Sequence, residues 1–160
     1  MTVASVRRTV HVPVDPATAF RLFTDDIGTW WRPGAHSLAD PARAVGMVIE
    51  PGAGGRWLEV WDASTGEGYE HGRVLVWEPG RRLVIAYRHE ALPPEPATEI
   101  EVAFEPTDGG TRVVLEHRGW DRLPPEVVAA YVRPRMWGAL LSWYVAHATA
   151  TAPAETQAPR

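Results

Sequence analysis

Between Glu99 and Arg118 the chain alternates apolar and polar residues almost without a break. Ile100, Val102 and Phe104 fall on one parity and Glu99, Glu101 and Glu105 on the other. After Thr107-Asp108-Gly109-Gly110, the residues Val113, Leu115 and His117 repeat the pattern against Arg112, Val114, Glu116 and Arg118. A period of two sends successive side chains to opposite faces of a strand, and a short Gly-rich turn joins two such runs antiparallel. The segment predicts a hairpin with one dry face. The same alternation carries His117 onto that face.

The rest of the chain extends this into a sheet. Val6, Arg8, Val10 and Val12 alternate with Arg7, Thr9 and His11, and Pro13 ends the run, which predicts a first strand. Asp15 caps a helix with Pro16 at its first position and Ala19, Phe20, Leu22 and Phe23 on its apolar face, and Asp25 to Trp31 allows one further helical turn. Strand-like runs then follow at 44–50, 56–61, 69–77 and 82–88, each closed by Gly, Pro or Ser chemistry. Pro124-Pro125-Glu126 opens a terminal helical region in which Pro134 should kink or break the helix. Along that region Trp137, Leu140, Leu141, Tyr144 and Ala148 share one face. The expected fold class is α+β: a mostly antiparallel sheet with helices gathered on one side. One domain is expected over 1–148, with 149–160 as a disordered tail of Ala, Thr and Pro.

Composition excludes several function classes. A net charge of -4 and scattered arginines argue against a nucleic-acid partner. There is no cysteine, so disulfides, thiolate nucleophiles and Cys-ligated zinc are out. The six histidines show no HExxH or similar spacing, so neither a metal nor any other cofactor is expected. No run approaches the roughly 20 apolar residues of a membrane span, and the first ten residues lack a signal-type apolar core, so a cytoplasmic location without membrane contact is expected. Eight tryptophans are more than packing alone needs in 160 residues, and large aromatic rings concentrate where ligands or partners are met.

Several segments together resemble a known family. They include Ala19-Phe20-Arg21-Leu22-Phe23-Thr24, Trp30-Trp31-Arg32-Pro33, Gly54-Gly55-Arg56-Trp57, Gly72-Arg73-Val74 with Trp77-Glu78-Pro79, and Thr111 to Gly119. In this order they resemble the bacterial group similar to activators of the heat-shock protein 90 ATPase, within the START-like (SRPBCC) superfamily. The resemblance implies a helix-grip fold, a seven-stranded antiparallel sheet wrapped around a long C-terminal helix, with a deep apolar pocket between them. It also implies a function of the superfamily's kinds: binding of lipids, sterols, hormones or polyketides, or cyclase and aromatase chemistry. The eukaryotic activators carry a further chaperone-binding domain for which this chain has no room, so co-chaperone activity is not carried over.

The candidate binding residues follow from faces and positions. His117 sits on the dry face of its strand, where an imidazole can exchange hydrogen bonds with a ligand; a core histidine satisfied by the protein itself is the equal alternative. Trp57, Glu59 and Trp61 share one strand face against Arg56, Leu58 and Val60, and the Trp face is taken as inward. A buried Glu59 would then need an Arg or His partner. Trp31 and His36 lie in an aperiodic connection suited to a pocket mouth. Tyr87, near the end of the 82–88 run, and Trp120, just after the last strand-like run, are further candidates, and Trp137, Leu140, Leu141 and Tyr144 supply the helix wall.

The expected function is a non-enzymatic module that binds a hydrophobic or aromatic small molecule. The rivals are a polyketide cyclase or aromatase-like enzyme using His117, Glu59 and Tyr87, and a stress-response protein-binding module using the surface at Trp30 and Trp31. A homodimer is the other partnership left open.

Overall fold

The computed structural model describes residues 5–32, 40–88, 98–126, 128 and 134–153. Seven strands form a single antiparallel sheet: β1 (Val6–Val12), β2 (Gly46–Ile49), β3 (Arg56–Asp62), β4 (Glu67–Glu78), β5 (Arg82–Tyr87), β6 (Thr98–Thr107) and β7 (Gly110–Arg118). Their spatial order is β1-β7-β6-β5-β4-β3-β2, so the first strand closes onto the last and every other neighbour is a hairpin partner in sequence. Between β1 and β2 lie α1 (Pro16–Thr24) and the single turn α2 (Ile27–Trp30), and the chain's long helix is α3 (Pro134–Thr151). The expected α+β architecture, with its wrapped seven-stranded sheet and terminal helix, is the one observed.

Local chemistry accounts for the elements. The Asp15 side chain accepts from the Thr18 backbone N–H at 2.7 Å, and Pro16 opens α1, as the sequence predicts. In the β6–β7 hairpin, Ile100 pairs with His117, Val102 with Leu115 and Phe104 with Val113, all buried. The opposite parity carries cross-strand ion pairs, Arg118 with Glu99 and Glu101, and Arg82 with Glu101. Such half-exposed pairs add little stability, but they mark the outer face.

The core lies between the inner face of the sheet and the helices. Phe20, Phe23, Ile27 and Trp30 from α1 and α2 meet Trp137, Leu140, Leu141 and Tyr144 from α3 over Leu83, Ile85, Val102 and Leu115. Tyr144 is fully buried and its hydroxyl donates to the Ala19 carbonyl at 2.8 Å, which ties α3 to α1.

One detail differs from the sequence expectation. The folded part does not stop at Ala148: α3 continues to Thr151 and Ala152 is buried against the core. Ala152 prolongs the face of Tyr144 and Ala148 by one more turn, and a single small alanine beyond Ala148 gives too weak an apolar signal for periodicity to register. Residues 154–160 of the expected tail lie outside the described residues. Pro134, where the sequence expects a kink or break, is the first residue of α3, and residues 129–133 before it lie outside the described residues.

The pairing of β4 is irregular in three places. Its register against β3 shifts between Trp57 and Leu58 and again between Val60 and Asp62, and against β5 between Val74 and Val76. The unpaired residue is His71 of β4 in the first, Trp61 of β3 in the second and Leu75 of β4 in the third. Leu75 is thereby left exposed, while His71 is turned into the interior.

Candidate functional site

Buried polar side chains gather at the end of the sheet where β5 and β7 finish and β6 begins. Glu59, His71, Thr98 and His117 are all buried there, against the otherwise apolar inner face. They form two networks, one on β3–β4 and one on β6, β7 and α3.

In the first network Glu59, with no exposed surface, accepts from the Asp40 backbone N–H at 2.9 Å and from Trp61 Nε1–H at 2.7 Å. Its other oxygen lies 2.8 Å from His71 Nε2. The inward Trp57–Glu59 face is therefore the one the sequence favoured, and the required partner is a histidine. Gly68 makes this possible, because a Cβ there would collide with the Glu59 carbonyl oxygen and force β3 and β4 apart. Burial lowers the His71 pKa against the opposing pull of Glu59, which keeps the ring neutral near pH 7. Nε2 is the ring nitrogen engaged by the carboxylate, which leaves Nδ1 outside that pair.

In the second network, burial lowers the His117 pKa to about 3, so this ring is neutral too. Trp137 Nε1–H donates to His117 Nδ1 at 3.2 Å. An indole can only donate, so Nδ1 is the acceptor, Nε2 carries the proton, and it donates to Thr98 Oγ1 at 2.9 Å. Trp120 caps the strand end by donating from Nε1 to the His117 carbonyl at 3.1 Å.

Aromatic rings link the two networks. Trp31 meets Trp57 at 5.3 Å between centroids, Trp57 meets Tyr87 at 5.9 Å, and Tyr87 meets His117 at 5.1 Å. His117 meets Trp137 at 6.1 Å, and Trp137 returns to Trp31 at 6.5 Å. Five rings thus close a circuit drawn from five separate elements of the chain. These spacings fall within the range of favourable edge and offset contacts.

The deep pocket implied by the resemblance is not open among the described residues. Trp31, Trp57 and Trp137, with Phe23, Ile27, Ile49, Ile85, Ile100 and Val102, surround a void of about 10 Å³. That is room for about one water molecule, and the lining is wholly apolar. The three indoles interdigitate over the space, which patterning along the sequence could not foresee.

Of the residues singled out from sequence, Trp31, Trp57, Glu59, Tyr87, His117, Trp120 and Trp137 come together at this end. Trp61 is half-buried at its margin, with the Arg43 guanidinium 4.1 Å above its ring. Leu140, Leu141 and Tyr144 are buried in the core away from the void lining, and His36 lies outside the described residues. His71 and Thr98 were missed. Thr98 lies two residues before Ile100 on the dry parity, which was signal enough to find it; His71 had no such signal, since the bulge suspends the alternation. Among the described residues no group of three or more His, Asp or Glu is placed to hold a metal, and no helix is long and apolar enough to cross a membrane.

Comparison with known proteins agrees with this architecture. No curated protein matches the chain. Among solved structures, the self-sacrificing resistance protein CalC from Micromonospora echinospora aligns with a TM-score of 0.67 at 27% identity, covering 94% of this chain and 97% of that one. The anthrahydroquino-gamma-pyrone synthase Txn09, solved in complex with SUM, aligns with a TM-score of 0.60 at 30% identity, covering 91% and 97%. The Aha1 dimer from Colwellia psychrerythraea shares the fold at 14% identity, with a TM-score of 0.55 and coverage of 89% and 94%. The family model described as activator of Hsp90 ATPase homolog 1-like protein matches residues 13–141, and the chain belongs to that family.

Proposed function

We propose that this protein binds a flat, largely apolar aromatic molecule between α3 and the inner face of the sheet, at the circuit formed by Trp31, Trp57, Tyr87, His117 and Trp137. The circuit itself carries the reading. Aromatic side chains offer stacking faces to an aromatic guest, and the neutral His117 with Thr98 places polar groups beside them, the composition usual for small-molecule sites. Membership of the family, and a synthase solved in complex with SUM among this chain's structural neighbours, support the same reading. A void of about 10 Å³ means that the guest enters by displacing a lining side chain. Trp31 is the natural one to move, being partly buried at the end of a one-turn helix while Trp57 and Trp137 are buried.

The test is native mass spectrometry of protein purified from its own host, for a retained small molecule, with titration of tryptophan fluorescence by an aromatic polyketide-like library. Saturable quenching that Trp31→Ala alters is the expected result. No retained mass and no saturable response across the library would end the proposal.

One observation favours a catalytic variant of this reading. A neutral His71 oriented through Nε2 by buried Glu59 is the arrangement of a general base. A cyclase-type enzyme would lose turnover of a bound polyketide-like substrate in His71→Phe while still binding it; a pure binding protein gives no turnover to lose.

A further inference from the structure

Four tryptophans are buried among the described residues: Trp30, Trp57, Trp120 and Trp137, each 3% exposed. Three have their indole N–H satisfied. Trp30 donates to the Leu22 carbonyl at 3.0 Å, Trp120 to the His117 carbonyl and Trp137 to His117 Nδ1. Trp57 Nε1 has no hydrogen-bond partner. A buried donor left without an acceptor has given up its water and gained nothing in return, and native proteins leave few of them. The other unpaired buried polar atom among the described residues, Glu70 Oε2, at least has the Arg88 guanidinium 3.6 Å away.

The unpaired donor belongs to a residue of the candidate site. Trp57 lines the void and touches Trp31, His71 and Tyr87. The imidazole nitrogens that hold the two networks together are already engaged: His71 Nε2 with Glu59, and both His117 nitrogens with Trp137 and Thr98. In these surroundings a donor meeting an acceptor from the guest forms its bond without competition from water.

We infer that Trp57 is a specificity-determining residue whose indole N–H is kept for an acceptor oxygen on the bound molecule, so that the ligand class is aromatic compounds bearing a ketone or quinone oxygen rather than plain hydrocarbons. This rests on the binding reading above. The indole holds its position because the ring is wedged between Trp31, His71 and Tyr87, and because Trp57 is anchored in the sheet opposite Ile49 and Gly72. Displacement of Trp31 brings the guest against the Trp57 ring.

Fluorenone and fluorene separate the two claims, since they share one shape and differ by a carbonyl in place of a methylene. Each is titrated into ¹⁵N-labelled wild-type protein while the indole N–H resonances are followed. The expected result is that both bind, that fluorenone binds about tenfold more tightly, and that the Trp57 indole proton moves downfield with fluorenone alone. Trp57→Phe should bind the two equally. If both probes bind with equal affinity and the Trp57 resonance responds alike to each, the donor role is overturned and the aromatic site stands. If neither binds, the site reading fails and the donor role with it. Should Trp57→Phe not fold, the wild-type resonance and the affinity ratio still decide.

Discussion

Trp137 at the start of α3 donates its indole N–H to Nδ1 of His117 at the end of β7, across 3.2 Å, and this bond fixes both the helix and the imidazole tautomer. Trp137→Ala would remove a large buried ring and leave His117 Nδ1 without its donor. The neighbouring void is too small to have spared that ring, so a loss of about 3–5 kcal/mol is expected in urea unfolding. Trp137→Phe keeps most of the volume and should lose about half as much; equal losses in the two variants would show that the hydrogen bond, not the packing, dominates.

The buried His117 makes stability depend on pH in a definite direction. Its pKa is about 3 in the folded protein and about 6.5 in the unfolded chain, so between these values the unfolded chain binds the extra proton. The stability from the neutral ring is fully present above about pH 6.5 and is lost as pH falls toward 3. At about pH 5 the loss from this one residue is about 2 kcal/mol relative to pH 7.5. His71 titrates in the same sense, so the measurement is the difference between wild type and His117→Gln. Parallel pH profiles for the two proteins would refute the assignment.

Glu59 and His71 should behave as one unit. Either Glu59→Leu or His71→Phe strands a buried polar group, Glu59→Leu more severely because Asp40 and Trp61 also donate to that carboxylate. Losses of about 3 kcal/mol and 2 kcal/mol are expected singly. The double variant should lose less than their sum by at least about 1 kcal/mol. Strict additivity in thermal or chemical unfolding would mean that the pair is not coupled.

The end of α3 also contributes to the fold. Truncation after Ala150 removes Thr151 and the buried Ala152, and should lower the melting temperature by about 3–6 °C, the equivalent of about 1–2 kcal/mol in a domain of this size. An unchanged transition would restore the domain boundary at Ala148 that periodicity alone suggests.

Alternation along the chain was sufficient for much of this molecule. The β6–β7 hairpin, the inward parity of His117 and the helix face from Trp137 to Ala148 follow from periods of two and 3.6, because those periods are set by backbone geometry and need no knowledge of the neighbours. The Trp57–Glu59 face was legible only as a choice between two parities. Tertiary structure made that choice by giving Glu59 a histidine partner, without which the buried carboxylate would be untenable. His71 itself was beyond reach of the pattern, since it occupies a bulge, and a bulge breaks the very alternation by which faces are read. How Trp31, Trp57 and Trp137, from three distant parts of the chain, come together around a void of about 10 Å³ was likewise not legible. Side-chain volumes in three dimensions settle such packing, and one-dimensional order does not encode it.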